Sequence, residues 1–136
     1  MIGLDTNVLV RYFAQDDAVQ SKKATGLMES LSADQPGYVS QVALIELVWV
    51  LGRCYGVERG PMKDIIESMV ATKELVVEEA DTVRKSLRVF GASNNVDFAD
   101  CLIERSGHRA GSEYTATFDV AAAKFAGMQL LTSSPA

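Results

Sequence analysis

The sequence predicts an α/β fold in which a parallel sheet of short strands is flanked by helices. Short apolar stretches alternate along the chain with longer segments that have helical periodicity. Such alternation is typical of βαβ crossovers, which align strands in parallel and cover both faces of the sheet. With 136 residues, 48% of them hydrophobic, the chain can bury one core. We therefore expect a single domain over residues 1–131 and a loose tail over residues 132–136.

The first part of the chain contains three predicted strands and four predicted helices. The strands cover residues 1–4, 37–39 and 75–77, and the helices cover 8–13, 18–31, 41–55 and 60–72. Asp16 or Asp17 can cap the second helix, and Ser40 can cap the third, because short polar side chains accept hydrogen bonds from the first free amides. Gly56 is suited to end the third helix. Gly60 and Pro61 open the fourth, since proline is tolerated in a first turn.

The second part continues the alternation with shorter elements. We expect helices over residues 80–90, 97–109 and 120–125, strands over 114–118 and 128–131, and a loop over 91–95. In parallel sheets of this kind, ligands bind beyond the carboxyl ends of the strands. The residues that follow each strand are therefore the first candidates for a functional site.

Composition excludes several classes of protein. No apolar window approaches the roughly 20 residues of a membrane span, and no basic segment followed by an apolar one indicates export. A cytoplasmic protein without membrane association is expected. Cys54 and Cys101 form no Cys-x-x-Cys motif, which argues against a disulfide scaffold or a zinc site. Both thiols are predicted to be buried and reduced.

Five carboxylates lie within apolar segments, where a charge is costly unless it is paired or binds a cation. Asp5 and Asp119 follow predicted strands, and Glu46 lies in an apolar helix, facing the interior or a site. Asp97 and Asp100 are three residues apart at a helix start and share one face. Setting these five aside leaves 13 acidic and 13 basic residues, so the net charge of −5 corresponds to this set. Together they predict a divalent metal site, and Mg²⁺ or Mn²⁺ suits carboxylate ligands.

Each acid also has a structural alternative. Asp5, Asp97 and Asp119 could cap the helices that follow them. Asp100 and Glu46 could pair with arginines, and Arg53 lies on the same helix face as Glu46. Trp49, in the same apolar helix, is predicted to be a core or dimer contact rather than a platform for stacking bases.

The order of these motifs resembles the PIN domain, most closely the VapC-type toxins of bacterial toxin–antitoxin pairs. The resemblance rests on Asp-Thr-Asn-Val-Leu from Asp5, the glutamate in Ala-Leu-Ile-Glu-Leu, Asp-Phe-Ala-Asp-Cys-Leu-Ile from Asp97, and Thr-Phe-Asp ending at Asp119. It implies a three-layer α/β/α sandwich and a metal-dependent endoribonuclease that leaves a 5′-phosphate and a 3′-hydroxyl. It also implies an RNA substrate and a cognate antitoxin. An apolar surface on the helices at 18–31 and 60–72 would suit a homodimer and the amphipathic segment of an antitoxin.

Site residues follow from the resemblance position by position. Asp5, Glu46, Asp100 and Asp119 match the acidic quartet of the family, and Asp97 matches an additional acid found in many relatives. From the ligand chemistry we expect Asp5, Asp100 and Asp119 to hold the metal or metals directly or through water, while Glu46 and Asp97 orient water. Candidate substrate-binding residues are Thr6, Asn7 and Arg11. Val120 departs from the family pattern, because a basic residue is frequent at that position.

Two other functions remain open from the sequence. A phosphatase of the aspartate-nucleophile type also uses a parallel sheet, but it normally requires a second aspartate where this chain has Asn7. A non-catalytic PIN-like module that binds RNA or protein would retain the fold without hydrolysis. The intact acids in all four motifs favour the ribonuclease.

Overall fold

A computed structural model of the protein describes residues 1–131. The predicted tail over residues 132–136 lies outside the described residues. The chain divides into two compact units, Met1–Ala80 and a second that begins at Asp81.

The first unit contains a three-stranded parallel sheet and four helices. Its elements are β1 (Ile2–Gly3), α1 (Thr6–Ala14), α2 (Ala18–Ser30), β2 (Gly37–Val39), α3 (Gln41–Tyr55), α4 (Arg59–Ala71) and β3 (Leu75–Val77). The strand order is β1-β2-β3, with Ile2 opposite Gly37 and Gly37 opposite Leu75. Both pairings are parallel, so the predicted α/β class is confirmed.

Local capping sets the ends of α2 and α3. The Asp17 carboxylate accepts hydrogen bonds from the amides of Val19 and Gln20, and Ser40 Oγ accepts one from Ala43 at 3.1 Å. Gly56 ends α3 in the left-handed region at a φ of 64°, which glycine adopts without steric cost. The predicted caps of both helices are therefore confirmed.

The core of the first unit is aliphatic. Its fully buried side chains, contributed by helices α1, α3 and α4 and by strand β2, are Leu9, Val39, Leu44, Leu47, Leu51, Ile66 and Met69. Gly37 permits the close packing of β2, because a Cβ there would lie 2.8 Å from a methyl of Leu4 and 2.9 Å from one of Leu31. Leu4 is thus fixed directly before Asp5.

The second unit contains α5 (Ala80–Gly91), α6 (Phe98–Arg109), β4 (Ala116–Thr117), α7 (Val120–Phe125) and β5 (Gln129–Leu130). Strands β4 and β5 are parallel, with Ala116 opposite Gln129. The rings of Phe90 and Phe98 pack edge to face at 5.8 Å between α5 and α6. Strand β4 is shorter than the predicted 114–118, because only two of its residues pair with β5.

The described residues also test the predictions about membranes and thiols. None of the helices within residues 1–131 combines the length and apolar character needed to cross a membrane. Cys101 is buried as predicted, but Cys54 is exposed, so the prediction for Cys54 was wrong. Cys54 lies in the last turn of α3, where the helix no longer packs against the core.

Three helices of the first unit are joined by a polar cluster formed by Arg11, Asp16, Gln20 and Tyr55. The Arg11 guanidinium donates to Asp16 at 3.1 Å, to Gln20 at 2.8 Å and to the Tyr55 hydroxyl at 3.2 Å. The Tyr55 hydroxyl in turn donates to Asp16 at 2.5 Å. The Tyr55 hydrogen bond, with the nearby Arg11 charge, lowers the pKa of the Asp16 carboxyl.

This cluster predicts a pH-dependent contribution to stability. A lowered folded-state pKa stabilises the protein above the unfolded Asp value of about 3.9, and the benefit is lost as the pH falls through the lowered value. Tyr55→Phe should therefore reduce the Tm at pH 7 by at most a few degrees, with the difference disappearing in acid. Thermal unfolding across pH checks this, with Asp16→Asn as the partner in a double-mutant cycle. Equal differences at all pH values would contradict it.

Candidate acidic site

Asp5 and Glu46 are connected in the first unit through Thr6. Asp5 follows β1 and caps α1, its Oδ1 accepting a hydrogen bond from the Thr6 amide at 2.8 Å. The buried Thr6 hydroxyl donates to Glu46 Oε1 at 3.3 Å. The capping alternative is thus confirmed for Asp5, but only Oδ1 takes part. Oδ2 has no hydrogen-bond partner within residues 1–131 and is available to a ligand.

Glu46 lies on the outer face of α3. Leu44 and Leu47 beside it are fully buried, whereas the Glu46 side chain is exposed. The interior-facing alternative for Glu46 was therefore wrong. Arg53 does not form the ion pair with Glu46 that was considered from the sequence. Its guanidinium instead lies 5.8 Å from the centre of the Trp49 ring.

Three aspartates are grouped in the second unit. Asp97 is the N-cap residue of α6, yet its side chain makes no capping hydrogen bond. Asp100 follows in the first turn of the same helix and is half-buried. Asp119 follows β4 and caps α7, with Oδ1 accepting from Ala121 at 2.8 Å and from Ala122 at 3.2 Å. The capping alternative is confirmed for Asp119. Asp97 occupies the N-cap position of α6 but does not cap the helix with its side chain.

The electrostatics of this group favour a cation. Burial raises the pKa of the Asp100 carboxyl above its ordinary value, and the negative charges of Asp97 and Asp119 raise it further. None of the ion pairs between residues 1 and 131 includes any of the three. Their mutual repulsion is therefore not offset by an ion pair with any side chain in the part of the chain that the structure describes.

The donor atoms fit a hard divalent ion that keeps part of its hydration shell. The available donors are carboxylate oxygens, including both of Asp97 and Oδ2 of Asp119, which have no hydrogen-bond partner within residues 1–131. No three Asp, Glu, His or Cys side chains among those residues are arranged as a ready-made ligand cage. Mg²⁺ normally takes one or two carboxylates and completes its octahedron with water and substrate phosphate, so an open set suits it.

The predicted substrate-binding residues have different positions. Thr6 is buried and directed to Glu46, as described above. Asn7 and Arg11 line a groove of about 340 Å³ between α1 and α2, together with Gln20 and Lys23. Lys23 was not predicted from the sequence. It reaches this groove only because α2 folds back along α1, which the sequence pattern does not reveal. Two cations in one groove make phosphate binding chemically reasonable, although Arg11 is already engaged by Asp16.

Two exposed aromatic residues beside the acids were also missed. Phe118 directly precedes Asp119 and is 80% exposed, although the sequence placed it inside a strand. Trp49 lies one helical turn after Glu46 and is 58% exposed, so the prediction of a core contact was wrong. The only signal in the sequence was their spacing from the acids.

The capping and charge roles of Asp119 can be separated experimentally. Asp119→Ala removes the cap of α7 and should lower the free energy of unfolding by about 1 kcal/mol. Asp119→Asn retains an oxygen for the two amides and should cost much less, while removing the negative charge. Urea denaturation of both variants measures the free energy of unfolding. Equal losses of stability in the two variants would show that the capping hydrogen bonds of Oδ1 do not stabilise the helix.

Comparison with known proteins identifies the family of the chain. The PIN domain family matches the chain over residues 2–128, which includes all five acids. No curated protein matches the chain. PIN domains are in general nucleases that use divalent metals and act on nucleic acid, and nuclease-type function follows for this chain at that level. By the extent of the match, the chain belongs to the PIN domain family.

Proposed function

We propose that the protein is a Mg²⁺- or Mn²⁺-dependent endoribonuclease and the toxin of a VapC-type toxin–antitoxin pair, acting in the cytoplasm. The observation that carries the proposal is the group of Asp97, Asp100 and Asp119. In a PIN domain, three carboxylates without a counter-cation in residues 1–131 are best explained by a metal-dependent reaction. A single PIN domain over residues 1–131 is part of this proposal, because the family match covers residues 2–128.

Three aspartates are proposed to hold the metal, directly or through water: Asp5, Asp100 and Asp119. Such an ion supplies an activated water and charge neutralisation for in-line hydrolysis of a phosphodiester. Asp5 and Asp119 each use Oδ1 for a helix cap, which fixes the orientation of the remaining oxygen. Their capping bonds therefore preorganise the carboxylates rather than compete with the proposed role.

The other acids are proposed to orient water. Glu46 is held by the Thr6 hydroxyl through Oε1, so Oε2 can accept a hydrogen bond from water. Asp97 has no intramolecular capping bond and can accept from water with both oxygens. Lys23 and Asn7 are proposed to bind phosphates of the RNA in the α1–α2 groove, with Arg11 joining them if it leaves Asp16.

A partner groove supports the toxin assignment. An opening of about 470 Å³ in the first unit is lined mainly by apolar side chains of α1, α2, α4 and β3, among them Tyr12, Phe13, Met28, Met69 and Leu75. Glu29 and Glu74 lie at the same groove. An amphipathic antitoxin segment with apolar anchors and a basic residue fits this lining. A homodimer is proposed as the toxin's own assembly.

Cleavage of total cellular RNA by the purified chain tests the proposed activity. Cleavage should require Mg²⁺ or Mn²⁺, stop with chelator, and leave 5′-phosphate ends that a phosphate-dependent ligase can join. Metal binding without hydrolysis of any RNA would instead assign the chain to the non-catalytic PIN-like modules. Hydrolysis with a phosphorylated aspartate as intermediate would favour the phosphatase alternative.

The partner is tested separately with the complex isolated from its native cells. Proteolysis of the bound antitoxin should restore cleavage, because the folded toxin is more resistant than an extended segment. Met28→Glu, which places a charge among the apolar side chains of the groove at a partly exposed position, should release the antitoxin. If the isolated chain carries no partner and cleaves at its full rate, the toxin assignment is wrong, although the nuclease assignment stands.

A further inference from the structure

We infer that Trp49, with the Arg53 guanidinium over its ring, is a platform on which an unpaired base of the RNA substrate stacks. The inference rests on the proposed RNA substrate and adds a residue that selects single-stranded segments. Trp49 is the sole tryptophan of the chain and is 58% exposed on α3. The hydrophobic effect favours burial of large apolar side chains, so an exposed tryptophan forgoes stabilisation of the fold.

The position of Trp49 connects it to the proposed reaction. Trp49 follows Glu46 by three residues in the same helix, and residues three apart lie on one face with Cβ atoms roughly 5–6 Å apart. Glu46 is in turn held by Thr6, next to Asp5. A base stacked on Trp49 would therefore lie within about one nucleotide of a phosphate that reaches Glu46.

Arg53 gives the platform its charge. Its guanidinium lies 5.8 Å from the ring centre, within cation–π range, and no carboxylate in residues 1–131 pairs with it. One face of the indole thus carries a cation that can also bind phosphate, while the ring retains exposed surface. Aromatic rings combined with cations are the usual means by which proteins hold single-stranded nucleic acid.

The same face suits a protein partner less well. Its exposed side chains alternate in character along the helix, from Val42 through Glu46 and Trp49 to Arg53. Tryptophan and arginine are enriched at protein interfaces, but carboxylates are depleted at their centres, and Glu46 lies in the middle of this face. An aromatic ring beside a cation, as in Trp49 and Arg53, instead matches a base and the phosphate next to it.

The sole tryptophan makes the inference directly measurable. Fluorescence of Trp49 in the full chain is followed while a short single-stranded RNA is added with Ca²⁺ in place of Mg²⁺, to limit hydrolysis. Stacking should quench the emission, and an abasic oligonucleotide of equal length should bind more weakly without quenching. Trp49→Ala should weaken RNA binding, measured by anisotropy of labelled RNA, roughly tenfold, whereas Trp49→Phe should retain part of the affinity.

The control is Val19→Ala, which removes another exposed apolar side chain from a helix of the first unit and should leave RNA affinity unchanged. Unaltered Trp49 fluorescence on RNA binding, with equal affinity of Trp49→Ala, would overturn the inference while leaving the ribonuclease intact. Sedimentation provides the other test. If Trp49→Ala converts a dimer to a monomer of unchanged RNA affinity, the face is a protein interface. If the wild type binds RNA with quenching but never hydrolyses it, the proposed function fails and the platform stands.

Discussion

Asp100→Asn should reduce metal-dependent RNA cleavage at least about a hundredfold. The expected size follows from metal sites in general, where even changes to groups that only support the ligands cost about 10- to 100-fold. Asp100 combines partial burial with the neighbouring charges of Asp97 and Asp119. Removing its charge removes one of the three neighbouring carboxylates that favour a cation there. Initial rates at saturating Mg²⁺ provide the measurement.

The loss should not result from unfolding. Burial and like charges raise the pKa of the Asp100 carboxyl, so an ionised Asp100 destabilises the folded chain relative to the unfolded one. A neutral asparagine avoids this cost, and the metal-free variant should be at least as stable as the wild type at pH 7. Asp34→Asn is the matched control, because Asp34 is an exposed loop carboxylate with no assigned role. Full activity of Asp100→Asn would remove Asp100 from the site.

Leu47→Ala should lower the free energy of unfolding by about 2–5 kcal/mol, the usual range for a buried leucine. Leu47 is 0% exposed and shares the inner face of α3 with Leu44 and Leu51. The truncation leaves a cavity that a packed core fills only in part. For a chain of this size, the loss corresponds to a fall in Tm of roughly ten degrees.

Val42→Ala provides the control on the same helix. Val42 is 70% exposed, and such surface changes usually alter stability by less than about 0.5 kcal/mol. Chemical denaturation of both variants gives the comparison. Similarly large losses of stability in Leu47→Ala and Val42→Ala would mean that the outer side of α3 is covered in solution. Small losses in both variants would mean that Leu47 is not buried in the core.

The helix ends were predictable because their determinants are local. The side chains of Asp17 and Ser40 and the free backbone of Gly56 act within a few residues of the ends that they set. Strand pairing depends on residues far apart in sequence, and the predicted strand 114–118 accordingly shortened to Ala116–Thr117. The capping roles of Asp5 and Asp119 could be anticipated for the same local reason.

The orientation of α3 could not be read from the sequence. Apolar residues occupy nearly every side of this helix, so periodicity gives no clear inner face. Packing against the first unit's core buries Leu44, Leu47 and Leu51 and leaves Glu46, Trp49 and Cys54 outside. Because this face of α3 is exposed, Arg53 contacts the ring of Trp49, which is one helical turn nearer to Arg53 than Glu46 is.

Local sequence patterns were sufficient to predict the α/β class and the helix caps, because periodicity and capping are properties of short segments. Which carboxylate oxygens are free for a ligand, which charges act on Asp100 and which face of α3 is exposed became known from the folded chain. Those features depend on contacts between segments distant along the chain. Local sequence patterns do not reveal the distances and the burial that such contacts create.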